Sequence, residues 1–139
     1  MVSVLPMTPT HINRTSSAIA TWLLVEGVWG MFSPEVFGLF TTNRLHATIH
    51  LLLGLWGLRA AFTRGARTFL WILGAILVAV GIAYFVPAGR ELTDLIAVNR
   101  PVAILNLILG GLSLTCAARC SDDIPRFHRS SGKPRPASR

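Results

Sequence analysis

Four long apolar runs constrain this chain more than any other feature of its sequence. They cover residues 16–32, 44–62, 67–86 and 100–118, and each is close to the roughly 20-residue length of a helix that crosses a bilayer. The runs are apolar on every side and do not alternate with a period of two, which favours helices over strands. We therefore predict an all-α membrane protein, a four-transmembrane-helix bundle.

Composition supports lipid as the solvent. Hydrophobic residues make up 52% of the chain and charged residues 14%, and the mean hydropathy is +0.56. The alternative, a soluble helical bundle, would have to bury every helix on all sides, and 139 residues are too few for such a shell. This alternative is the weaker one.

The distribution of basic residues predicts orientation. The net charge is +7, yet the Lys and Arg residues flank apolar runs or lie near the C-terminus, which argues against nucleic acid as a partner. Ten of them fall on one side of the predicted bundle and three (Arg44, Arg90 and Arg100) on the other. By the positive-inside rule, both termini are cytoplasmic and the protein lies in the plasma (inner) membrane.

The chain ends are predicted to lie outside the bilayer. Residues 1–15 lack the apolar stretch of a cleavable signal and form a cytoplasmic N-terminal segment. Residues 16–119 form the transmembrane domain. Residues 120–139 are basic and rich in Pro and Ser, so we predict a disordered cytoplasmic tail that touches anionic lipid head groups.

An internal repeat appears when the chain is shifted by 56 positions. Asn43 then meets Asn99 and Gly54 meets Gly110, together with the pairs Glu35–Glu91 and Arg44–Arg100. Each copy contains two helices, so both enter the membrane in the same direction and form two parallel-repeat helical hairpins. We expect the matched asparagines and glycines to share a local conformation, with the glycines allowing close helix packing.

Three ionisable residues lie inside the apolar runs, namely Glu26, His46 and His50. At about 1.5 Å per residue, Glu26 lies roughly 10 Å below the outer end of the first helix and His50 roughly 9 Å below that of the second. His46 and His50 are four apart and share a helical face. The sequence therefore predicts a polar intramembrane pocket formed by these three residues.

Several roles fit such a pocket. Glu26 and His50 could simply satisfy one another and tie two helices together. Alternatively, a small transporter or a redox-linked membrane subunit could use the pocket for protons, quinone, lipid head groups, metal or haem. His46 and His50 are the candidate ligands in the metal case, although we expect no metal and no cofactor. No covalent nucleophile is indicated, so an enzyme is not predicted.

The segment 45–54, with His46, His50 and Gly54, carries a His-x-x-x-His-Leu-Leu-x-Gly pattern. It resembles a bacterial family of small four-helix membrane proteins known as a domain of unknown function, and residues 98–110 resemble its second half. The resemblance implies a plasma-membrane location and no established activity. Asn106 stands where the resemblance implies a second histidine, so this chain departs from a symmetric histidine site, and we add Asn106 to the predicted pocket.

We therefore predict an uncharacterised membrane protein with a structural or accessory role. Its expected partners are membrane lipids and a second copy or another membrane protein.

Overall fold

A computed structural model describes residues 11–119, and this part of the chain contains five α-helices. They are α1 (His11–Phe32), α2 (Arg44–Ala61), α3 (Ala66–Phe85), α4 (Arg90–Leu95) and α5 (Arg100–Arg119). Two-residue strands, β1 (Glu35–Val36) and β2 (Phe40–Thr41), pair antiparallel between α1 and α2, and a 3-10 turn (Pro87–Gly89) precedes α4. The all-α prediction is confirmed.

The long helices pack as two hairpins, α1 with α2 and α3 with α5. Small residues on α2 and α5 allow the close approach. A Cβ on Gly54 would lie 2.9 Å from the Ala20 carbonyl oxygen of α1, and one on Gly110 would lie 3.0 Å from that of Gly74 on α3. Each predicted glycine thus packs against the first helix of its own hairpin, whereas Gly111 has open space around it.

An apolar core joins the hairpins at the end where α1 begins and α5 ends. Leu23, Phe69, Leu70 and Leu73 are almost completely buried there, and Ala117 completes the cluster. In lipid, large side chains of this kind stabilise helix contacts through close van der Waals packing. This end of the structure is therefore held mainly by apolar contacts.

Two asparagines join the hairpins at the opposite end. The Asn43 side-chain oxygen accepts from the backbone N–H of His46 and so caps α2, while its Nδ2 donates to the Leu95 carbonyl. Asn99 makes the matching pair of bonds: its oxygen accepts from the N–H of Val102 and its Nδ2 donates to the Leu39 carbonyl. Asparagine is a favoured N-cap because its side chain satisfies an orphan helix N–H.

The structure adds detail at the start of the first helix and in the connections. The first helix begins at His11 rather than at residue 16, so the predicted N-terminal segment 1–15 is in part helical. The connections contain a short β-hairpin and α4, since backbone groups away from a helix still need hydrogen-bond partners. Residues 1–10 and the predicted tail at 120–139 lie outside the described part of the chain.

Within residues 11–119, two helices have both the length and the apolar composition to cross a membrane, namely α3 and α5. The first helix carries several polar residues near its start, and α2 has 18 residues that include Arg44, His46, His50 and Arg59. Of the four helices predicted to span the membrane, two therefore have the composition of a spanning helix.

Candidate functional site

The predicted polar side chains meet in one hydrogen-bonded series. His50 Nδ1 lies 3.1 Å from Glu26 Oε2, and His50 Nε2 lies 3.0 Å from His46 Nε2. All three side chains are buried, with exposed fractions between 5% and 8%. The series therefore runs Glu26–His50–His46 with no branch among these bonds.

Local sequence explains the arrangement. His46 and His50 are one helical turn apart, so their rings lie on the same face of α2, and the two ring centroids are 4.3 Å apart. Asn43 fixes the start of α2 one turn before His46. On α1, Gly27 follows Glu26, and a Cβ there would lie 2.9 Å from the backbone nitrogen of Leu51. Glycine therefore lets α2 approach closely beside the carboxylate.

The far end of the series is incompletely bonded. Nδ1 of His46 is buried and lacks a hydrogen bond of good geometry within the described residues, although the Ile96 backbone interacts with this ring. A small cavity with a volume of about 10 Å³ is lined by His46 and also by His50 and Glu26, and its volume is close to the minimum that holds a single water. Among the ring nitrogens of the series, Nδ1 of His46 is the one that bonds to no other member.

The cavity is closed by residues that sequence reasoning missed. The β-hairpin contributes Val36, Phe40, Thr41 and Thr42, and α5 contributes Asn106 with its neighbours Val102 and Leu105. Asn106, which the sequence had already singled out, lines the cavity. The hairpin residues carried no local signal, because two-residue strands are too short for a periodic pattern.

The hairpin tip packs back along α1. Phe37 lies at the turn with φ of 56°, and its ring centroid is 4.8 Å from that of Trp29 and 6.0 Å from that of Trp22. The left-handed conformation is unfavourable for a bulky side chain, so the aromatic contacts hold the turn in place. The hairpin is therefore folded over the cavity.

The other predicted residues lie elsewhere. Asn43 and Asn99 join the connections, and Gly54 and Gly110 lie at helix contacts.

The arrangement suits some chemistries better than others. A cavity of this size has no room for a quinone or haem. Within residues 11–119 there is no group of three or more His, Cys, Asp or Glu side chains arranged to hold a metal ion. A series of one carboxylate and two imidazoles can accept and pass protons, because each imidazole has one donor and one acceptor nitrogen.

Comparison with protein families gave one match, over residues 14–118, to a domain of unknown function (DUF4383). Neither curated proteins nor solved structures gave a match.

Proposed function

This chain belongs to the DUF4383 family, a domain of unknown function, and we propose that it is an integral protein of the plasma membrane whose four long helices all cross the bilayer. In this proposal α1–α2 and α3–α5 are two repeated hairpins that enter the membrane in the same direction. The role is structural or accessory, with a polar pocket enclosed between the hairpins.

The observation that carries this proposal is the apolar outer surface of all four long helices. Large hydrophobic side chains are exposed on each, including Val28 on α1, Leu52 on α2, Ile82 on α3 and Leu112 on α5. In water, contiguous patches of this kind cause aggregation, whereas in a bilayer they are solvated by lipid. In the most apolar 18-residue stretch of α3, only 33% of the residues are buried, and the same share is buried in α5. The core helix of a soluble protein is mostly buried.

The reciprocal asparagine bonds support the repeat. Three pairs of bonding positions (39 and 95, 43 and 99, 46 and 102) are each separated by 56 residues, and both members of a pair have the same donor or acceptor role. A pseudo-twofold axis along the membrane normal relates such pairs.

The charge distribution supports cytoplasmic termini. Arg14, Arg59, Arg64, Arg67 and Arg119 lie at or near the end of the bundle where α1 and α3 begin, and the positive-inside rule assigns that end to the cytoplasm. The β-hairpin and α4 then face outward.

Membrane extraction and reporter fusions test this proposal. We expect the full chain to stay in the membrane pellet after alkaline carbonate. Reporters at the C-terminus and between α2 and α3 should report a cytoplasmic location, while one inserted at Gly38, where the structure has open space, should report the outside. Release into the supernatant, or a C-terminal reporter outside the cell, would refute the proposal.

A second candidate function is proton handling by the pocket. The continuous series of hydrogen bonds from Glu26 to His46 favours protons over the bulkier ligands, for which the cavity lacks space.

A further inference from the structure

The hydrogen-bonded series of Glu26, His50 and His46 ends at His46 in a ring nitrogen without a partner among the described residues. Beyond Glu26, the interior is filled by apolar side chains. We propose that the series is a one-sided proton-binding site, which takes up one proton through His46 from the face covered by the β-hairpin and does not pass it to the opposite face. This inference rests on the proposed membrane placement. It names the proton as the ligand of the pocket and the face covered by the β-hairpin as the side from which the proton enters.

Hydrogen-bond pairing defines the form without the extra proton. The Glu26 carboxylate accepts from His50 Nδ1–H, and His50 Nε2 accepts from His46 Nε2–H. The Nδ1 of His46 then carries a lone pair, for which no donor lies among the described residues. The neighbouring Ile96 backbone favours a further proton on this ring. These tautomers follow from the pairing of donors and acceptors.

Uptake of a proton shifts every hydrogen in the series by one position. A proton adds to His46 Nδ1, the hydrogen on His46 Nε2 moves to His50 Nε2, and that on His50 Nδ1 moves to Glu26. The product contains a neutral carboxylic acid and two neutral imidazoles in their opposite tautomers. Both hydrogen bonds of the series remain, with donor and acceptor exchanged in each. The net charge of the series changes from −1 to zero, which lowers the cost of burying it among apolar residues.

The entry lies on the hairpin side. The small cavity is lined by all three members of the series and by the hydroxyl-bearing residues Thr41 of the β-hairpin and Thr42 directly after it, and His46 lies nearest the start of α2. A single water in that cavity would link His46 Nδ1 to the outer face.

The path ends at Glu26. Towards the other end of the bundle, the interior is filled by Leu23, Phe69, Leu70 and Leu73. The next buried hydroxyl on α1 is Ser16, roughly 15 Å away at 1.5 Å per residue, and it donates to the Gly57 carbonyl. The N–H of Trp22 is buried without a hydrogen-bond partner among residues 11–119, but an indole only donates and cannot relay a proton.

Few other ionisable groups face the series. Glu26 is supplied by α1, and both histidines by α2. The cavity-lining residues of the β-hairpin and α5 do not titrate. Tyr84 of α3 packs against the adjoining cluster of Ile96, Val98 and Val102. The nearby charged side chains Glu35, Arg44, Asp94 and Arg100 are exposed. A proton taken up inside the bundle therefore resides on the series itself.

The second hairpin indicates that packing does not require these polar groups. A Cβ on Gly27 would meet Leu51 and the Ala47 carbonyl, and one on Gly81 would meet Leu107 and the Ala103 carbonyl. The helices therefore pack alike in both hairpins. Because Gly27 and Gly81 occupy equivalent places, the residue before each is equivalent too, so Val80 corresponds to Glu26. On the second helix of each hairpin the shift of 56 residues holds, and Val102 and Asn106 correspond to His46 and His50. A hairpin of the same form thus exists without an ionisable cluster.

The test uses the full chain in liposomes in one known orientation, with a pH dye inside. Infrared difference spectra report a protonated carboxyl, and ¹⁵N NMR of labelled histidine rings reports tautomers. We expect acid on the hairpin side to produce one carboxylic band per chain and a joint tautomer exchange at His46 and His50, with the lumen pH unchanged. Glu26→Gln should abolish the band, while Glu35→Gln and His11→Gln, at exposed positions, should retain it.

Other results would overturn the inference. An imidazolium signal without a carboxylic band would show that Glu26 takes up no proton. Equal responses to acid on both sides, or acidification of the lumen beyond that of empty liposomes, would show a path through the bundle.

A triple variant, Glu26→Val with His46→Val and His50→Asn, gives the first hairpin the residues of the second. We expect it to insert and fold without the band. Failure to fold would mean that the cluster serves assembly and would count against a proton site. Failure of the membrane placement is detected separately, as release by carbonate.

Discussion

Gly110 and Gly111 are adjacent on α5 and offer a matched test of helix packing. A Cβ on Gly110 would lie 2.8 Å from Val78 Cγ2, 2.9 Å from the Val78 nitrogen and 3.0 Å from the Gly74 carbonyl oxygen. Two of these three atoms belong to the α3 backbone, so they can move only if the helices separate. A Cβ on Gly111 would meet nothing within 4 Å.

We expect Gly110→Ala to be less stable than Gly111→Ala by about 1–3 kcal/mol, the usual cost of overpacking. Both changes gain the same helix propensity, about 1 kcal/mol for Gly to Ala, so this contribution cancels in the comparison. Gly111→Ala alone should be neutral or slightly stabilising.

The free energy of unfolding can be measured in mixed micelles by titration with SDS and followed by circular dichroism. Equal unfolding midpoints for the two variants would refute the close α3–α5 contact at Gly110.

Three further changes test other parts of the structure in the same assay. Asn99→Ala removes a helix cap and the bond to the Leu39 carbonyl, so we expect a loss of about 1–3 kcal/mol; an unchanged midpoint would contradict the reciprocal bonds. Ala97 has φ of 52°, a conformation that glycine adopts freely, and Ala97→Gly should raise stability by up to about 1 kcal/mol; a clear loss would contradict the turn geometry. Glu26→Ala leaves the buried His50 Nδ1–H without its acceptor and should cost about 1–3 kcal/mol, whereas Glu26→Gln keeps an oxygen there and should cost less; the reverse order would contradict the ion-pair geometry.

The positions of residues along helices were the most predictable part of the site. The rise of a helix places Glu26 and His50 at similar depths, and a spacing of four places both histidines on one face. These relations depend only on local geometry, so the sequence contains them. The 3.1 Å contact between Glu26 and His50 follows this arithmetic.

The connections were less predictable because tertiary contacts determine them. The strands Glu35–Val36 and Phe40–Thr41 are too short to give an alternating pattern, and Phe37 adopts a positive φ that its residue type disfavours. Its ring contacts with Trp29 and Trp22 come from a helix that precedes it in the chain. Nothing in the composition of the segment indicated that it folds over a cavity.

The repeat signal was informative in a different way. Asn43 and Asn99 matched at a shift of 56 residues, but the sequence did not say what they bind. In the structure each asparagine caps one helix and bonds to the connection of the other hairpin. A matched pair of polar residues at helix starts thus indicated positions of structural importance before any partner was visible.

The start of α2 combines the junction of the hairpins with the open end of the proton site. The backbone N–H of His46 is bound by Asn43, whose Nδ2 binds the Leu95 carbonyl, and the adjacent Ile96 backbone interacts with the His46 ring. Because the same residue is held by the cap and carries the free ring nitrogen, a change at Asn43 should alter both stability and proton uptake. Asn99 caps α5 in the same way, but its partner at the first turn is Val102, which has no proton to exchange. Loss of the Asn99 cap should therefore lower stability and leave the exchange of tautomers at His46 and His50 in place.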